Sequence, residues 1–165
     1  MAGMRRLLTI VLAAAANLMA AGWAAPVVDR TPPVLTRVEL VRSRFAVGRG
    51  PTAINAVVRG TAFRFTLSEP SVVSIQIRRV LPGRRVGRRC LAPTRARRSR
   101  PRCTRLIAAG TLRRHLAAGR RSVPFSGRIG RRALPPGRFQ ATLTARDGAG
   151  NVSRHHTLRF TILAG

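Results

Sequence analysis

The chain has 165 residues, with 32 basic side chains against 4 acidic ones and a net charge of +28. A length of this order suits one domain with one core. The acids are only Asp29, Glu39, Glu69 and Asp147, which argues against paired-carboxylate hydrolysis and against an acid-rich calcium cage.

Every basic residue is arginine. A GC-rich coding bias exchanges lysine for arginine, but it does not remove Asp and Glu, so the acid deficit carries information of its own. A surface of this sign attracts polyanions at long range, strongly at low salt and weakly at high salt.

The first 24 residues read as a helical signal peptide. Arg5 and Arg6 form a short basic start, Leu7 to Ala21 is an apolar run, and Gly22-Trp23-Ala24 offers small residues around a cleavage point. Residues 25–33 read as a linker rich in proline. From residue 34 to 165 period-2 alternation replaces any helical period. Val34 to Val41 predicts a first strand, continued by Phe45 to Val47, and Pro51 to Val58 is ambiguous. In Thr61 to Leu67, the residues Phe63, Phe65 and Leu67 alternate with Arg64 and Thr66. Ser68-Glu69-Pro70-Ser71 is turn chemistry. Val73, Ile75 and Ile77 alternate next with Ser74, Gln76 and Arg78.

Residues 78–105 form an insertion that holds 12 of the arginines and both cysteines. Its charges repel and its apolar content is low, so it is expected to be a mobile excursion outside the core. Leu106 to Leu112 is a weaker strand interrupted by Gly110. Ser122 to Phe125 is another, marked as edge-like by Pro124. Gly127 to Gly137 reads as a basic loop. Phe139 to Ala145 and Leu158 to Ile162 alternate again, on either side of Asp147-Gly148-Ala149-Gly150-Asn151. About seven short strands separated by turn signals predict an all-β fold: a single antiparallel β-sandwich.

Asp29-Arg30-Thr31-Pro32-Pro33 before a strand, the corner Leu134-Pro135-Pro136-Gly137-Arg138-Phe139, and Asp147 to Asn151 before the last strand occur in a set order. Together they resemble the immunoglobulin-like or fibronectin type III-like modules of secreted bacterial proteins, actinobacterial ones in particular. The resemblance covers residues 29 to 163. It implies a seven-stranded sandwich that works outside the cell or on its surface in spacing, adhesion or binding. Where many such modules place a tyrosine at the corner, this chain has Phe139, which cannot make the corner hydrogen bond.

In an exported chain, Cys90 and Cys103 are expected to form a disulfide that tethers the arginine-rich flap. The polyanion-binding candidates are Arg84, Arg85, Arg88, Arg89, Arg95, Arg97, Arg98, Arg100 and Arg102, because guanidinium forks pair with phosphates. No catalytic set is evident. Ser153, His155 and Asp147 lack supporting context, His155 and His156 read as a solvent-exposed pair at a strand edge, and the spacing of the cysteines with His115 and His155 or His156 matches no common zinc finger. No cofactor, metal or small-molecule substrate is expected.

The sequence therefore predicts a secreted, non-catalytic module, structural or adhesive, or one that engages anionic polymers or lipids of the cell envelope. The alternative is charge-driven nucleic-acid binding without sequence preference. The leader opposes it, and so does the lack of aromatic side chains to stack on bases.

Overall fold

The computed structural model describes residues 29–48 and 59–164. The signal-peptide reading and the ambiguous stretch Pro51 to Val58 lie outside the described residues. The strands in chain order are β1 (Leu35–Leu40), β2 (Arg44–Ala46), β3 (Thr61–Leu67), β4 (Ser71–Val86), β5 (Arg89–Leu91), β6 (Arg102–Leu116), β7 (Gly119–Phe125), β8 (Arg128–Ile129), β9 (Arg132–Ala133), β10 (Gly137–Arg146) and β11 (His156–Leu163). One 3-10 turn, Arg95–Arg97, is the only helical element among the described residues.

The smaller sheet has the order β1-β3-β7 and is antiparallel throughout. The larger runs β2-β11-β10-β4, with β6 on the far side of β4 and β5 paired to the end of β4. β8 and β9 form a separate short hairpin. One pairing departs from the antiparallel expectation: β2 lies parallel to β11. The reason is local. After β1 the chain crosses from one sheet to the other through Val41 to Ser43 without reversing, so β2 meets the last strand in the same direction.

The core lies between the two sheets. The inward positions of β3 (Phe63, Phe65, Leu67), β4 (Val73, Ile75, Ile77), β10 (Phe139, Ala141, Leu143, Ala145) and β11 (Phe160, Ile162) are buried at every second residue. These are the residues whose alternation is legible in the sequence, because period 2 puts one set on the packed face. All six phenylalanines are buried. Five form a connected cluster across the sheets, with Phe160 stacked on Phe139 at 5.4 Å and on Phe45 at 5.5 Å, and Phe125 packed against Phe45, Phe63 and Phe160. β7 is an edge strand, as Pro124 foretold.

The corner before β10 is held by packing and by hydrogen bonds to backbone carbonyls. Leu134 is buried and its N–H donates to the Gly127 carbonyl at 2.9 Å, while Phe139 stacks on Phe160. Arg79 donates from Nη2 to the Pro136 carbonyl at 3.1 Å.

The insertion lies outside the core, as expected, but most of it is paired strand, with residues 92–101 forming the connection. β4 and β6 stay paired from Ser71↔Leu116 to Arg84↔Arg102, well past the last core residue of β4, Ile77. A ladder already anchored in a core needs only one residue pair at a time to lengthen. Its backbone hydrogen bonds do not depend on apolar side chains. The register shifts between Ile77 and Arg78, where Ala109 is the extra residue on β6. Gly110 beside it has φ of +152°, and a Cβ there would lie 2.7 Å from Ile129 of β8. The strand-interrupting glycine thus marks a bulge at the point where the hairpin leaves the core.

Candidate polyanion-binding surface

The far end of the hairpin is built from the arginine-rich segment. β4 ends at Val86, turns at Gly87 (φ +57°) and Arg88, and returns as β5. The chain then makes the 3-10 turn and enters β6, with the Arg85 N–H donating to the Pro101 carbonyl at 2.8 Å. The Cys90–Cys103 disulfide is formed, with Cα atoms 6.0 Å apart. It joins β5 to β6 over β4 at Gly83, which is the register partner of Cys103. The bare backbone of Gly83 leaves room for the bridge: a Cβ there would meet Cys90 Sγ at 2.5 Å and Arg105 Cγ at 2.8 Å.

The nine candidate arginines divide into two groups. Arg84 and Arg97 hold the segment together. Arg84 Nη1 donates to the Arg100 carbonyl at 2.8 Å, and Arg97 Nη1 to the Ala92 carbonyl at 3.2 Å. Arg85, Arg88, Arg89, Arg95, Arg98, Arg100 and Arg102 are exposed. Guanidiniums crowded in this way repel one another and are stabilised by any anion that bridges them.

The acids are segregated from them. Three of the four, Asp29, Glu69 and Asp147, each bring a carboxylate oxygen within 4.8 Å of the others. Their positions in sequence, a linker and two separate turns, gave no sign of this. They meet because the β3–β4 turn, the β10–β11 turn and the segment before β1 all lie at one end of the sheets. Asn151 ties the group together. Its Nδ2 donates to the Asp29 carbonyl at 3.1 Å and to Asp147 Oδ2 at 2.9 Å, and its backbone N–H donates to Asp147 Oδ1 at 2.8 Å. Burial pushes the Asp147 carboxyl up, but hydrogen bonds from the Asn151 side chain and from the N–H groups of Asn151, Gly150 and Ala149 outweigh it and hold it below its ordinary value. This oxygen set is the one group among the described residues suited to a hard cation, with three carboxylates where calcium takes 6 to 8 oxygens.

β4 begins two residues after Glu69 and runs for 16 residues, so it carries the arginine tip up to about 50 Å away from the acid cluster. The three clustered acids and the arginine tip therefore lie at opposite ends of β4.

The remaining candidates have structural duties or stay apart. Ser153 is buried, its Oγ accepting from the Ala145 N–H at 2.9 Å and donating to the Arg154 carbonyl at 2.8 Å, so this hydroxyl holds the β10–β11 connection. His115 and His155 are exposed, and no histidine joins a group of potential metal ligands among the described residues. No protein-family model matches the chain, and no curated protein matches it in sequence.

Proposed function

We propose that this protein is an exported, non-catalytic immunoglobulin-like module that binds anionic polymers through its arginine-rich hairpin. The observation that carries the reading is a β-hairpin, closed by a disulfide, that presents seven exposed arginines with no carboxylate on its own segment. Arg85, Arg89 and Arg102 sit on paired strands and the disulfide ties the connecting turn to them, so part of this surface is ordered before binding and more of the contact energy remains as affinity. The two-sheet packing, the set order of its motifs and the leader-like start support the module class and an extracellular or cell-surface setting. Structural or adhesive service is compatible with the same surface, since an envelope polymer bound at one end anchors the module.

Nucleic acid is the second reading, carried by charge. Against it, all six phenylalanines are buried and the described residues contain no tryptophan or tyrosine to stack a base.

Binding to heparin and to inorganic polyphosphate at a series of salt concentrations tests the proposal. Seven phosphate pairings of the single-chain type predict a fall of about a thousand-fold in affinity between 50 and 200 mM salt. Replacing the seven exposed arginines by glutamine removes most of that slope. Unchanged binding in the variant would show that the polymer binds elsewhere than the hairpin.

A further inference from the structure

We infer that the polymer's seat begins on the outer face of the larger sheet, as a trough that leads to the base of the hairpin. This rests on the polyanion reading above and assigns residues outside the arginine-rich segment.

Strand alternation sets the face. Phe139, Ala141 and Phe160 point into the core, so Arg138, Gln140, Arg159 and Thr161 point outward. Thr161 pairs with Arg44 on one side and Arg138 on the other. Gln140 pairs with Arg159 on one side and Arg78 on the other. Two rows of arginines thus cross the strands, with members of a row roughly 10 Å apart and the rows about 7 Å apart. Among the described residues none of these four guanidiniums has a hydrogen-bond or ion-pair partner, and no carboxylate lies on the face.

The same face is concave. A depression of about 490 Å³ is lined by Arg44, Arg138, Arg159 and Thr161, with Val80 and Leu106 among its apolar residues. A second, of about 450 Å³, is lined by Pro82, Arg84, Pro93 and Arg102 at the hairpin base. Val80, Thr104 and Arg138 line both, so the two form one continuous trough.

The ligand class follows from these features. Unpaired guanidiniums on two rows select a chain with repeated phosphate, sulfate or carboxylate groups. A recess bordered by arginine admits a single flexible chain, whereas a flat bilayer or a rigid duplex touches only its rim. A linear single-chain polyanion therefore lies across the strands and leaves toward the exposed arginines of the tip.

Inorganic polyphosphate, titrated into the full chain at several salt concentrations, tests this. Arg44, Arg138 and Arg159 are exposed, so R44S/R138S/R159S keeps the core intact, as its circular dichroism should show. Its salt slope is expected to fall by about 2, at about 0.7 for each phosphate no longer neutralised. R44K/R138K/R159K should recover most of that slope. The control is R37N/R64S/R120S, which removes the same charge from the outer face of the smaller sheet. Asparagine is chosen at Arg37 because φ there is +51°. The control should bind as the parent does.

Equal weakening in both triple variants would overturn the seat and leave net charge as the cause. An unchanged R44S/R138S/R159S would confine binding to the tip and overturn it as well. Duplex DNA or phosphatidylglycerol vesicles binding as tightly as polyphosphate would overturn the single-chain assignment. Failure of the parent chain to bind any polyanion would remove the reading on which the seat rests.

Discussion

At the scale of single residues, the arginine end depends on a glycine. Gly83 is buried where the Cys90–Cys103 bridge passes over β4, and a methyl group there collides with Cys90 Sγ at 2.5 Å. Overpacking of this kind costs about 1–3 kcal/mol. Gly83→Ala is therefore expected to destabilise the hairpin by that amount. The cost should shrink in a Cys90→Ala/Cys103→Ala background, where the colliding sulfur is gone; a double-mutant cycle in urea measures the difference. A cost that persists in that background would place the conflict elsewhere. Asn151 plays a comparable part at the opposite end, since it holds Asp29 and Asp147 together against their mutual repulsion.

At the scale of elements, the long β4–β6 hairpin has two regimes. Up to Ile77 the strands are held by the core, and beyond it by backbone pairing and the disulfide. Closing a loop of this separation contributes about 3 kcal/mol in the chain-entropy view. Reduction of the bridge should therefore open the end of the hairpin and leave the sandwich folded. Amide hydrogen exchange is the measurement: protection at residues 80–105 should disappear while that of β10 is retained. Disappearance of protection in β10 as well would show that hairpin and core unfold as one unit. The nine candidate arginines of the segment also separate at this scale. Two stabilise the element by donating to carbonyls, and seven are exposed.

At the scale of the whole molecule, a charge of +28 works against compactness, because like charges are closest in the folded state. Raising ionic strength from 0.01 to 0.15 M shortens the screening length from about 30 to about 8 Å, so the thermal midpoint should rise with salt. Polyphosphate at a hundred times its dissociation constant adds about 2.7 kcal/mol by mass action. In a chain of this size that amounts to roughly 5–11 °C. Differential scanning calorimetry distinguishes the two contributions by comparing salt alone with salt plus polymer. A midpoint that falls as salt is raised would contradict the repulsion account. Three of the four acids meet at one end of β4 and the arginine tip lies at the other, so the molecule carries an uneven charge distribution along its long hairpin.

The all-β architecture, most strand positions and the inward set of phenylalanines were legible in the sequence, because alternation at period 2 is a local consequence of burying one face. The disulfide was legible from a lone pair of cysteines in a chain with a leader-like start. Two features were not. The arginine-rich segment looks irregular because sequence patterning registers burial, whereas its strands are held by pairing to an anchored ladder, a bulge at Ala109 and a bridge over Gly83. The meeting of Asp29, Glu69 and Asp147, and the rows formed by Arg44, Arg78, Arg138 and Arg159, join residues far apart in the chain. Alternation is enough to set which side of a strand each of these arginines takes, but only the tertiary structure, through strand order, register and the meeting of turns at one end, decides which residues become neighbours.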